Sequence, residues 1–238
     1  MQDGKGMSAS GEATKTEQTL LGLLAKARRS ETTEIEADAI IRAFQSHDGS
    51  PHRQSSFIKK GRGKGLEEPA TNRLEERLAK ELMKQGSLAL PDKRGLELLD
   101  YQFPLKNVRS DKIGKVDLIG LADGYELTLV ELKVAESTQN PRIALLELLA
   151  YWAVVRGNFA RINSELENRA KGPGRLLIIA PLKYWDRWLE PKRKQRWLRF
   201  CYLLHEIQGK VDADIECLSL GDKELGTPRF TLERVEMG

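Results

Sequence analysis

Two acids and a lysine stand in an otherwise apolar, β-forming stretch of this 238-residue chain. Asp117 lies in Gly114-Lys115-Val116-Asp117-Leu118-Ile119-Gly120, and Glu131 and Lys133 lie in Leu129-Val130-Glu131-Leu132-Lys133-Val134. Side chains alternate across a strand, so Glu131 and Lys133 share one face while Val130, Leu132 and Val134 share the other. Asp123-Gly124 between the two runs marks a turn, and a hairpin there brings Asp117 beside Glu131 when the register sets both on one face. Hard carboxylate oxygens next to an ammonium suit divalent-metal hydrolysis of a phosphodiester: the oxygens hold Mg²⁺, and the cation serves the attacking water or the developing charge. A structural ion pair on a half-exposed strand is the plain alternative. The conjunction with Asp117, rather than Glu-x-Lys itself, favours the metal site.

Register makes this testable. Asp117 and Glu131 each lie seven residues from Gly124, so pairing them requires an odd loop, most simply Asp123-Gly124-Tyr125, with Gly124 free to take positive φ. A two-residue Asp123-Gly124 loop would set Asp117 opposite Val130 and turn the acids to opposite faces.

The neighbouring elements follow from periodicity. Residues 71–85 predict a helix with Leu74, Leu78 and Leu82 on one face; Glu75 projects on the inner half of that face and Glu76 is rotated away. A carboxylate at the edge of an apolar stripe needs a partner, which a cation would supply. Residues 96–105 predict a strand. Residues 141–155 predict a buried helix, with Pro141 in its first turn and apolar side chains nearly all round; Glu147 and Tyr151, four apart, share a face. Residues 176–180 read as a strand buried on both faces, 184–208 as helix interrupted at Pro191, 211–220 as strand and 229–235 as an edge strand. Trp185, Trp188 and Trp197 are first of all core anchors for their helix.

Ahead of these, residues 1–14 are small, polar and expected to be disordered. Thr14 with Glu17, and Thr33 with Glu36, are capping-box signals for two short amphipathic helices. Such helices are not stable alone and must pack on each other, on the main domain or on a partner; a docked appendage is favoured over a DNA-binding module. Residues 47–69 read as linker. The division expected is therefore 1–66, a helical extension and basic linker, and 67–238, the main domain.

The net charge of +4 is modest, but its distribution is uneven. Residues 50–65 carry Arg53, Lys59, Lys60, Arg62 and Lys64 without an acid, and 183–199 hold seven Lys or Arg, Arg187, Arg193 and Lys194 among them, against Asp186 and Glu190. Lys59, Lys60, Arg62, Lys64, Arg187, Arg193 and Lys194 are candidate phosphate contacts. No apolar run is long enough to span a bilayer and residues 1–10 form no signal-peptide pattern, so a cytoplasmic protein with no membrane partner is expected. Two cysteines, Cys201 and Cys217, make no disulfide framework.

The order of helix with Glu75, strand, Gly-Lys-Val-Asp117-Leu, hairpin, Val-Glu131-Leu-Lys133 and a helix bearing Tyr151 resembles the PD-(D/E)XK nuclease superfamily, closest in pattern to its NucS-type and RecB-type domains. The resemblance covers about residues 72–155. It implies Asp117 and Glu131 as metal ligands with the main-chain carbonyl of Leu132, Lys133 as the catalytic lysine, and Glu75 as the first-helix glutamate. Tyr151 matches the end of a Gln-x-x-x-Tyr helix motif, and Glu147 stands where that motif has glutamine. No proline precedes Asp117.

The expectation is thus an α/β, restriction-endonuclease-like fold, a mixed and mainly four-stranded sheet with helices on both faces and an N-terminal helical extension. Its function would be Mg²⁺-dependent hydrolysis of DNA, with Mn²⁺ able to substitute. RNA as substrate and a catalytically silent nucleic-acid-binding or assembly subunit are the alternatives; DNA is the expected partner, with a homodimer or protein partner through the N-terminal helices besides.

Overall fold

A computed structural model describes residues 19–30, 35–58, 66, 73–171, 174–221 and 230–236. The valine-, isoleucine- and leucine-rich runs expected as strands pair side by side as β2 (Gly95–Pro104), β3 (Lys115–Ala122), β4 (Glu126–Leu132), β5 (Gly174–Pro181) and β6 (Ala213–Leu220), with β1 (Ser87–Ala89) and β7 (Leu232–Arg234) at the edges. Among the described residues the sheet is therefore seven-stranded, not mainly four-stranded, and its spatial order is the chain order. Hairpin partners are antiparallel, whereas β4–β5 and β5–β6 are parallel. Parallel neighbours need long crossovers. These are supplied by α4 (Pro141–Gly157) with α5 (Phe159–Glu165), and by α6 (Leu182–Leu189), a 3-10 turn at Pro191–Arg193 and α7 (Lys194–Ile207).

Each sheet face carries its own apolar layer. Leu118, Val130, Leu132 and Ile179 pack with Leu82 and Met83 of α3 (Leu74–Gln85). Ile119, Leu129 and Ile178 pack on the other side with Leu145 and Leu149 of α4. α4 is buried nearly all round, as its composition requires, and starts at Pro141 with the Asn140 side chain accepting from the Arg142 N–H at 3.0 Å. α1 (Leu20–Arg29) and α2 (Ala37–Gln45) belong to the same apolar layer through Leu20, Leu24, Ile40 and Phe44. Thr19, rather than the Thr14–Glu17 pair, caps α1; Thr14 and Thr33 lie outside the described residues, and Glu36 at the N-cap of α2 makes no side-chain capping bond.

One part of the expected linker is folded structure. Phe57 is fully buried and stacks on Phe103 with ring centroids 5.8 Å apart. Glu165 of α5 accepts from the Phe57 and Ile58 amides and from Ser56 Oγ. Composition suggested a solvated tether; a single aromatic and the carboxylate that gathers its backbone N–H groups fix the segment instead. No single helix among the described residues is long and apolar enough to cross a membrane.

Candidate active site

The hairpin has the odd loop that the acid pair requires. β3 and β4 pair from Ala122↔Glu126 to Leu118↔Val130, which leaves Asp123-Gly124-Tyr125 as the loop. Asp123 (φ 48°) and Gly124 (φ 79°) take the left-handed region there. The same register carried one step further sets Asp117 across from Glu131. At that step the ladder gives way: the Leu132 N–H donates to Asp117 Oδ2 at 2.9 Å, so a carboxylate lies where the pairing would otherwise continue.

A third strand holds the other oxygen. Between Leu98 and Asp100 the pairing of β2 with β3 slips, and Gln102 adopts φ 50°. Tyr101 consequently packs on the α3 side while Phe103 packs on the α4 side. The Gln102 amide is brought to Asp117 and donates Nε2 to Oδ1 at 2.9 Å.

Glu131 lies on the α4 face with Lys133, whose Nζ is 2.6 Å from Glu131 Oε1 and 3.3 Å from Glu147 Oε2. The remaining oxygen of Glu147 pairs with the Arg28 guanidinium from α1. One turn along α4, the Tyr151 hydroxyl lies so close to Gly114 that a Cβ there would come within 2.4 Å of it. The glycine of the Gly-Lys-Val-Asp run is thus required by close approach.

Asp117, Glu131, Lys133 and Glu147 are all buried. Burial pushes Asp117 up to about 6, with Glu147 and Glu75 adding to the rise and the Leu132 N–H and Lys133 opposing it. Burial, then Asp117 and Glu147, push Glu131 well above the usual carboxylate range despite Lys133. Glu147 goes the other way: burial disfavours its charge, but Lys133, a hydrogen bond with Glu131, and Arg28 together outweigh that and keep it ionised. For Lys133, burial is likewise outweighed by Glu131 and Glu147, so it stays an ammonium rather than a base. Three carboxylates face two cations here, and the imbalance shows as a raised proton affinity on Asp117 and Glu131.

Asp117, Glu131 and Lys133 open on a cleft of about 710 Å³. Glu75 lines it from α3 as expected; Glu76, expected to rotate away, lines it too, and so do Gln102, Lys106 and Lys115. Among the described residues, no three His, Cys, Asp or Glu side chains are grouped to hold a metal ion. The donor set that remains on the cleft wall is the two carboxylates, Asp117 and Glu131. That set suits Mg²⁺, a hard cation that binds through one or two carboxylates and keeps several waters, and the raised proton affinity of Asp117 and Glu131 marks charge that a cation would relieve.

Comparison with protein-family models, curated proteins and solved structures finds no match.

The proposed phosphate contacts divide three ways. Lys59, Lys60, Arg62 and Lys64 lie outside the described residues. Arg187 is half-buried and donates to the Ala135 and Ser137 carbonyls, which ties down the loop after β4. The Arg193 guanidinium sits over the Trp188 ring, 4.8 Å from its centroid, while Lys194 is exposed. The sequence reading missed Gln102, Arg28, Lys106 and Lys115. Lys115 alone carried a signal, being two residues before Asp117 on the same strand.

Proposed function

We propose that this chain is a metal-dependent nuclease that hydrolyses phosphodiester bonds of DNA, on a restriction-endonuclease-like fold of the PD-(D/E)XK kind. The observation that carries the reading is the convergence of Asp117, Glu131 and the Lys133 ammonium at the forked end of one hairpin, on the wall of an open cleft. Asp117, Glu131 and the Leu132 carbonyl would hold Mg²⁺, or Mn²⁺ in its place. When bound, the ion supplies Lewis-acid stabilisation of phosphate charge and lowers the pKa of water.

The protein groups do the rest. The Leu132 N–H and the Gln102 amide fix both oxygens of Asp117, so this ligand is oriented before any cation arrives. Lys133 has its charge held in place by two carboxylates and donates to the attacking water or to a non-bridging phosphate oxygen, where negative charge grows. The water oxygen bonds to phosphorus and its proton passes to solvent, the opposite P–O bond breaks, and the departing oxygen is protonated from solvent. Glu75 adds a further carboxylate to the cleft wall, and Lys106 and Lys115 line the same cleft, where they would contact neighbouring phosphates.

The test is incubation of the wild type and Glu131→Ala with labelled single-stranded, duplex and branched DNA and with RNA, in Mg²⁺, Mn²⁺ or EDTA. Metal-dependent cleavage of DNA that is lost in the variant supports the reading. Cleavage of RNA alone changes the substrate, and binding without cleavage by either protein replaces the enzyme with a binding module.

A further inference from the structure

Arg28 reaches the site from the last turn of α1. That helix docks on α4 through Leu20, Leu23, Leu24 and Ala27, which sets Arg28 against Glu147, 119 residues further along the chain. Charges then alternate along a line from the N-terminal helix to the cleft: Arg28, Glu147, Lys133, Glu131. Neither Arg28 nor Glu147 lines the cleft, so neither meets a substrate there.

A single ammonium cannot serve two buried carboxylates equally. Lys133 stands nearer to Glu131, at 2.6 Å, than to Glu147, at 3.3 Å, and among the described residues Glu147 has a second cation while Glu131 has none. We propose that Arg28 is a positioning residue of the active site: by neutralising Glu147 it leaves the Lys133 ammonium with Glu131 at the cleft. This deepens the nuclease reading and rests on it for the role of Lys133. It also makes α1 a working part of the site, where the sequence suggested an appendage. The Arg28 side chain is 52% exposed but that of Glu147 only 6%, so removing the guanidinium leaves a buried carboxylate short of a cation.

The experiment uses the full chain as wild type, Arg28→Met, Arg28→Lys, Glu147→Gln and the double variant Arg28→Met/Glu147→Gln. Methionine keeps the aliphatic stem and removes the charge. Expected for Arg28→Met is a fall in kcat of about tenfold or more with KM changed by less than about threefold. Arg28→Lys should be intermediate. The double variant should regain most of what Arg28→Met loses, because a neutral amide at 147 no longer competes for Lys133; a merely structural arginine would show no such rescue. A double variant no more active than Arg28→Met, or Arg28→Met with the wild-type kcat, overturns the proposal. If no protein cleaves any substrate, urea unfolding of the four proteins of the 28/147 cycle decides separately. Non-additive midpoints then keep the Arg28–Glu147 linkage while the nuclease reading fails, and additive midpoints overturn the linkage.

Discussion

Replacing Asp117 by asparagine should stabilise the metal-free protein while removing its activity. In the folded chain Asp117 holds its proton up to about 6, against an ordinary value of 3.8. Between these values the folded state binds one proton that the unfolded state has released, so stability falls as pH rises through that window and the loss persists above it. The gap corresponds to about 3 kcal/mol at roughly 1.4 kcal/mol per pH unit. Asparagine has the same shape without the charge: its Oδ1 can accept from the Leu132 N–H, and Gln102 can turn its amide to accept from Nδ2. Urea denaturation in EDTA should therefore show Asp117→Asn more stable than wild type by about 1–3 kcal/mol at pH 7.5, with the difference vanishing below pH 4. Saturating Mg²⁺ should raise the wild type and not the variant. A variant less stable than wild type at pH 7.5, or an advantage of the same size at pH 4, would refute the claim that Asp117 is held as a strained, uncompensated anion.

Other consequences can be checked independently. Gly114→Ala would put a Cβ 2.4 Å from the Tyr151 hydroxyl, so it should displace that hydroxyl and lower the melting temperature, and Tyr151→Phe added to it should restore part of the loss. Lys106→Ala/Lys115→Ala should flatten the dependence of log K on log salt by about one for each phosphate contact removed, measured by anisotropy on labelled duplex in Ca²⁺; an unchanged slope takes both lysines off the binding surface. The same titration after neutralising Lys59, Lys60, Arg62 and Lys64 decides whether that run binds DNA. Phe57→Ala should cost about 3 kcal/mol or more by urea denaturation, since the ring is fully buried against Phe103; a change under 0.5 kcal/mol would return residues 47–58 to linker status.

The parts of the site that could be read from the chain are those fixed by local rules. Two-residue alternation placed Glu131 and Lys133 together, and symmetry about Gly124 selected the three-residue loop that the hairpin uses. Apolar runs located β5, β6 and α4 to within a few residues. What escaped depends on distant chain or on irregular backbone. Gln102 sits in an ordinary strand pattern, and only the slip after Leu98 and its own positive φ turn its amide toward Asp117. Arg28 looks like a basic residue ending a short helix until α1 docks on α4. The partners of Arg187, carbonyls of the loop after β4, also escaped, because charge runs record composition and not hydrogen bonds. β1, three residues long, has no periodicity to read.

The most direct test is single-turnover cleavage by Lys133→Met set beside Mn²⁺ titration of the same protein. Lys133 touches Glu131 and Glu147 and is proposed to act on water or phosphate charge, not on the cation. Cleavage should fall by about a hundredfold or more, while Mn²⁺ still binds and Glu131→Gln reduces that binding. A Lys133→Met protein that cleaves like the wild type, or a wild type that binds no divalent ion at Asp117 and Glu131, would contradict the account.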